Sequence, residues 1–183
     1  LIMTIVMGLV LSIVIIFSED ILSLWINDDF SLQSSMVLRV LCLGVFFSSL
    51  SIIYMRLLCA ADFEKVLSVF YIILAFIYVV LSYFVAGKYG IVGIAWLFSV
   101  RCIFEFVVLL CLSKRHLSNF ILVSNKAWLV IFINVCFIVY PLLFTGLTLL
   151  LKMFYALLVI STFFVVIFLE RANFKAALSN RTY

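Results

Sequence analysis

The chain has 183 residues, 69% of them apolar and 11% charged, with a mean hydropathy of +1.44. Soluble domains carry about 45–50% apolar and about 25% charged residues, so this composition excludes a water-soluble globule and makes lipid the expected solvent. The formal charge of +4, from 12 basic and 8 acidic side chains, is what a bias of Lys and Arg toward the cytoplasmic loops of a membrane protein produces, and it calls for no nucleic-acid partner.

In hydrocarbon every backbone N–H and C=O must be paired within the protein, which leaves helices or closed barrels. The apolar runs here are long and do not alternate with polar residues, so the pattern predicts an all-α, polytopic membrane helical bundle. Six segments approach the roughly 20 residues a span needs. They are helices over about 1–17, 36–58, 66–86, 90–112, 127–145 and 149–169, forming one transmembrane unit over 1–169 that ends in a polar tail, 170–183. The first run is already apolar at Leu1, and it reads as the cut end of a longer protein. A signal peptide fits poorly, since the run has no basic lead and Ser18-Glu19-Asp20 is no cleavage site.

The connections carry the charge. The segment 18–35 is acidic, with Glu19, Asp20, Asp28 and Asp29, and holds Trp25 as an interface anchor. Ala60-Ala61-Asp62-Phe63-Glu64-Lys65 is a short charged turn, and Gly87-Lys88-Tyr89-Gly90 is a tight turn with glycine at both ends. The segment 113–126 is basic, and Gly146-Leu147-Thr148 closes the last hairpin. With six spans, one side receives Arg56, Lys65, Lys114, Arg115, Lys126, Arg171, Lys175 and Arg181, and the other only Lys88 and Lys152. The positive-inside rule therefore predicts that both ends of the fragment, and the tail, are cytoplasmic.

No catalytic set is visible: there is a single His, and no Ser/His/Asp, Cys/His or HExxH arrangement. The expectation is a protein that is not an enzyme, with no cofactor and no metal. His116, between basic neighbours, reads as a solvated loop residue. Cys42, Cys59, Cys102, Cys111 and Cys136 form no CxxC and read as buried small hydrophobes.

The charged pair Arg101 and Glu105 lies inside the fourth helix, one turn apart on one face. A charge at mid-bilayer costs at least about 2.5–3.5 kcal/mol, so both must face protein or a wet cavity. Arg101 could present a cation to an anionic substrate while Glu105 holds the guanidinium or exchanges a proton. The pair could equally be a self-neutralising structural one. Arg39 and Arg56, near opposite ends of the second helix, fit headgroup anchors or stepping sites for a phosphate. In the third helix Ser68, Tyr71, Ala75, Tyr78 and Ser82 share a face, and the two tyrosines make a sugar-contacting or wet surface conceivable. Gly44, Ser48, Ser51 and Met55 make a comparable stripe on the second helix, suited to close packing. Pro141 should kink the fifth helix and is a hinge candidate, with a static bend as the simpler role.

The order of motifs is familiar. Ile21-Leu22-Ser23-Leu24-Trp25-Ile26-Asn27-Asp28-Asp29-Phe30 is followed by Leu38-Arg39-Val40-Leu41-Cys42-Leu43-Gly44, the turn at 60–65, and Tyr89-Gly90-Ile91-Val92-Gly93-Ile94-Ala95 opening the fourth helix. This resembles the C-terminal half of Wzx-type polysaccharide (O-antigen) flippases, in the superfamily of the MATE exporters and MurJ flippases. The resemblance covers about 1–112. Asn27 and Asp62 stand where such proteins often carry Gly. It implies a MATE-like lobe in the bacterial inner membrane that helps move undecaprenyl-diphosphate-linked oligosaccharide by alternating access. It also implies membrane lipids as surroundings, with a polysaccharide polymerase and a chain-length regulator as further partners. Arg101, Glu105, Arg39, Arg56, Tyr71 and Tyr78 are the substrate-binding candidates, and Pro141 the hinge. A small-molecule exporter of the MATE type and a non-transporting scaffold or fragment are the alternatives.

Overall fold

A computed structural model describes residues 2–25, 28–116, 125–143 and 152–161, all helical apart from short turns. The helices are α1 (Ile2–Ile16), α2 (Ser18–Trp25), α3 (Asp28–Cys59), α4 (Glu64–His116), α5 (Asn125–Leu143) and α6 (Lys152–Ser161). By length and composition α3 and α4 can cross a membrane, and α1 with α2 counts as a third, broken span bent by 66°. The predicted Gly146-Leu147-Thr148 turn, the last turns of the sixth segment, the tail and Asn27 lie outside the described residues.

The structure changes the expected loop at 18–35. Its first part is helix α2, and α3 begins at Asp28, well before the apolar run. Acidic residues read as loop in the sequence because their partners lie far along the chain; Glu19 and Asp20 are helical here and ion-paired.

Segment α4 runs for 53 residues but is broken at Gly90, whose backbone is at φ 62°, ψ −151°. Only glycine enters that region readily. The two arms, 64–89 (α4a) and 91–116 (α4b), fold back antiparallel, since Tyr71 meets Glu105 and Tyr78 meets Arg101 across them. Each arm is about 39 Å long at 1.5 Å per residue, enough to cross a hydrocarbon core of about 30 Å. The two glycines of the turn are not equivalent. Gly87 has open space around it and no special backbone conformation, whereas Gly90 makes the reversal. Gly93 serves a third purpose: a Cβ there would lie 2.5 Å from Tyr89 Cβ and 2.8 Å from Val85 Cγ1. The Tyr-Gly-Ile-x-Gly-x-Ala motif thus combines a chain reversal, a close approach just beyond it, and Ala95 buried in the packing.

Helix α3 ends in a turn that the sequence also marks. Phe63 N–H donates to Leu58 O and Asp62 N–H to Cys59 O, both at 3.1 Å, with Asp62 left-handed at φ 61°. This is the Schellman pattern, with Phe63 returning to the core beside Leu58. Asp occupies the position glycine usually takes, which a short polar side chain tolerates.

The core lies between α1, α3, α4b and α5, around Ile15, Phe46, Leu50, Leu58, Leu109 and Ile138. Small residues bring α3 against α4b. Gly44 faces Phe98 and Ser99 with no room for a Cβ, and Ser99 Oγ–H donates to Val40 O at 2.7 Å. Helix α4a contributes little to this core and shows most of its apolar side chains outward. Cys42 and Cys102 are buried, but Cys111 and Cys136 are exposed, which corrects the expectation that every cysteine is interior. A small apolar thiol on an outward face is at home when that face meets lipid.

Candidate functional site

The α4 hairpin assembles four of the sequence-derived candidates. Because the arms reverse at Gly90, Tyr71 and Tyr78 of α4a stand opposite Glu105 and Arg101 of α4b. Tyr71 Oη–H donates to Glu105 Oε1 at 2.8 Å. The Arg101 guanidinium carbon lies 5.1 Å from the centre of the Tyr78 ring, within cation–π range. The Arg101–Glu105 pair itself is long, with Nη2 to Oε2 at 3.7 Å. Glu105 is buried, whereas the Arg101 side chain keeps 31% of its surface exposed. Arg101 Nε is buried and has no hydrogen-bond partner among the described residues.

This is an incompletely satisfied cation. Arg carries five N–H donors in a planar fork. Here a ring face and one distant carboxylate oxygen engage it, while Tyr71 holds the other oxygen of that carboxylate. Such a group can accept an anionic oxygen without first breaking a short ion pair.

Arg39 has another fate. It is buried on α3 and makes three contacts: Nε–H to Ser18 Oγ at 2.8 Å, Nη2–H to Glu19 Oε1 at 2.9 Å, and Nη1–H to Pro141 O at 3.5 Å. Lys152 of α6 continues the network, at 2.7 Å from Asp20 Oδ2 and 4.0 Å from Glu19 Oε2. Two cations and two carboxylates therefore tie α2, α3 and α6 together, with the end of α5 joined through a carbonyl. Sequence reading placed Arg39 at a helix end as an anchor or stepping site. The partners Ser18, Glu19, Asp20 and Lys152 were missed, and their one signal is a pair of acids directly after an apolar run. Arg56 is exposed near the end of α3 and joins neither cluster. It shares its end of the bundle with Lys65, Lys114 and Arg115, where Phe63 also packs on the His116 ring at 4.6 Å.

Pro141 is tightly tied. Lacking an N–H, it leaves Phe137 O without its helical donor. Tyr155 of α6 fills that place, its hydroxyl donating to Phe137 O at 3.0 Å while its ring stacks on Tyr140 at 5.3 Å. Arg39 occupies the carbonyl of Pro141 itself. The freed acceptor is thus held by an adjacent helix.

Among the described residues no group of three or more His, Cys, Asp or Glu side chains could hold a metal ion. No protein-family model matches the chain, and no solved structure does. Over 109 residues the chain is 29% identical to the "Putative O-antigen transporter" of Shigella flexneri, a stretch covering 60% of this chain and 26% of that protein. The resemblance read from short motifs therefore has a distant homologue of that name behind it. The chain spans about a quarter of that relative's length.

Proposed function

We propose that this chain is part of an inner-membrane flippase that moves undecaprenyl-diphosphate-linked oligosaccharide by alternating access. The Arg101–Glu105–Tyr71–Tyr78 cluster would lie on its polar path. Diphosphate and sugar cannot cross hydrocarbon unshielded, and a flippase must offer them polar partners partway through while the lipid tail stays in the bilayer. The observation that carries this reading is the under-coordinated Arg101, placed midway along a membrane-length helix beside two tyrosines. The distant similarity to the O-antigen transporter of Shigella flexneri supports the substrate class. In this reading six membrane segments form one MATE-like lobe, with the end bearing Arg56, Lys65, Lys114 and Arg115 in the cytoplasm.

A MATE-like exporter of cationic compounds would want a free carboxylate at mid-membrane, and Glu105 is already engaged by Tyr71 and Arg101. The test is Arg101→Ala in the full-length parent, scored for surface polysaccharide and for the amount of protein in the membrane. Loss of polysaccharide at normal protein level is expected. Normal polysaccharide would remove Arg101 from the path.

A further inference from the structure

We infer that α2 is an interfacial foot: its outward face of Ile21, Leu24 and Trp25 seats at the boundary between the acyl chains and zwitterionic phospholipid headgroups. The inference rests on the membrane reading above. Three observations converge on it.

The first is orientation. Helix α2 turns 66° away from apolar α1, so its eight residues, about 12 Å long, advance only about 5 Å in the direction of α1. It lies more across the bundle than along it. The second is depth. Taking Arg101 near the middle of α4b, the Gly90 reversal stands about 16 Å away along the arm, close to half a hydrocarbon thickness of about 30 Å. The contacts of Val40 and Gly44 with Ser99 put Arg39 roughly 5–10 Å from Arg101 toward that same end. Since α2 starts beside Arg39 and climbs only slightly, Leu24 and Trp25 reach about 10–15 Å, within a helical turn of the hairpin tip. Tyr89 is exposed at that tip with Lys88 5.4 Å from its ring, an aromatic–cation pair of the kind that marks a headgroup plane.

The third is the division of charge. The rotation of α2 is set by buried Ser18, bonded to Arg39, and by the part-exposed Glu19 and Asp20, held to Arg39 and Lys152. What it shows outward is Leu24 at 88% exposure and Trp25 at 84%. A large aromatic ring and a leucine on an outward face need an apolar or amphipathic medium, and the interface is where tryptophan partitions. The two cations that contact α2, Arg39 and Lys152, are buried and paired with its carboxylates, so the outward face of α2 itself offers no positive charge to anionic lipid.

The experiment uses the full chain in phosphatidylcholine vesicles carrying nitroxide-labelled lipids, with Trp25, Trp96 and Trp128 reduced to one at a time by Trp→Phe changes. For the Trp96→Phe, Trp128→Phe variant, a label high on the acyl chain should quench Trp25 at least about twofold more than a label near its end, as an interfacial residue requires. Adding phosphatidylglycerol should leave that ratio unchanged. Quenching of Trp25 only by aqueous acrylamide, by neither agent, or more strongly by the deep label would overturn the inference, as would a marked dependence on phosphatidylglycerol. The Trp25→Phe, Trp128→Phe variant separates the two readings. Trp96, on the outward side of α4b, must be quenched by lipid labels if the chain is in the membrane at all.

Discussion

Two arginines on neighbouring helices, each set inside an apolar span, are treated oppositely. Arg39 is buried, has three described acceptors, and sits in a network where Glu19 and Asp20 balance it and Lys152. Arg101 keeps about a third of its surface open, faces its carboxylate at 3.7 Å and has no partner for Nε among the described residues. Both solve the problem of an ion in low dielectric, but only one solution is complete. A network in which every nitrogen of the guanidinium has an acceptor holds helices in place, while one in which Nε has none among the described residues keeps that donor for a ligand. Under the proposed function, the contrast gives the Arg39 cluster a role in stability and the Arg101 cluster one in recognition.

The sharpest way to break that contrast is to neutralise each arginine and measure thermal unfolding in detergent. Arg39→Gln removes a buried cation with three acceptors and should cost about 2 kcal/mol, below the scale for stranding a fully buried partner because Glu19 is a third exposed and keeps Lys152 at 4.0 Å. Arg101→Gln removes a long pair and a cation–π contact, with Glu105 still held by Tyr71, and should cost about 1 kcal/mol or less. A loss at Arg101 equal to that at Arg39 would mean that both clusters are structural.

The next test moves the backbone instead of the charge. Gly90 sets the register in which Tyr71 meets Glu105 and Tyr78 meets Arg101, and takes no part in the Arg39 network. Its backbone conformation is closed to other residues although space for a methyl group is open. Gly90→Ala should therefore cost about 2 kcal/mol in backbone strain alone and disturb only the Arg101 cluster. Gly87→Ala, three residues earlier at an unstrained helical position, should be neutral or stabilise by up to about 1 kcal/mol. Paired melting curves of the two variants decide it: a Gly90→Ala loss no larger than that of Gly87→Ala would show that the reversal does not depend on glycine at 90.

These two sites also mark how far the sequence could be read. The spacing of Arg101 and Glu105, the shared face of Tyr71 and Tyr78, and the glycine turn between them are all local, and helix geometry converts local spacing into faces. Mirroring the two arms about that turn is enough to set the tyrosines against the charges. The Arg39 network has no such symmetry. Its partners are 20 residues away at Glu19 and, for the Lys152–Asp20 pair, 132 residues apart, so only the packing of α2, α3 and α6 reveals them. For the same reason acidic α2 reads as loop, and the sequence around Pro141 leaves hinge and static bend both open: the cations that pair with α2 and the Tyr155 hydroxyl that meets Phe137 O come from other helices.

The smallest expected effect compares two tyrosine hydroxyls. Tyr155→Phe leaves Phe137 O, already deprived of a helical donor by Pro141, with no partner on α6. An unsatisfied buried acceptor costs about 1–3 kcal/mol. Tyr71→Phe takes a donor from Glu105, but Arg101 is one turn away on the same helix and can close its 3.7 Å gap. The carboxylate then regains by a shorter ion pair much of what it lost, and the net cost should fall to about 0.5–1 kcal/mol. That rearrangement spends the donors held in reserve. Tyr71→Phe should therefore weaken transport in the full-length parent more than its effect on melting suggests, and Tyr155→Phe should act mainly on melting. A Tyr71→Phe variant less stable than Tyr155→Phe, with transport intact, would reverse the roles given to the two clusters.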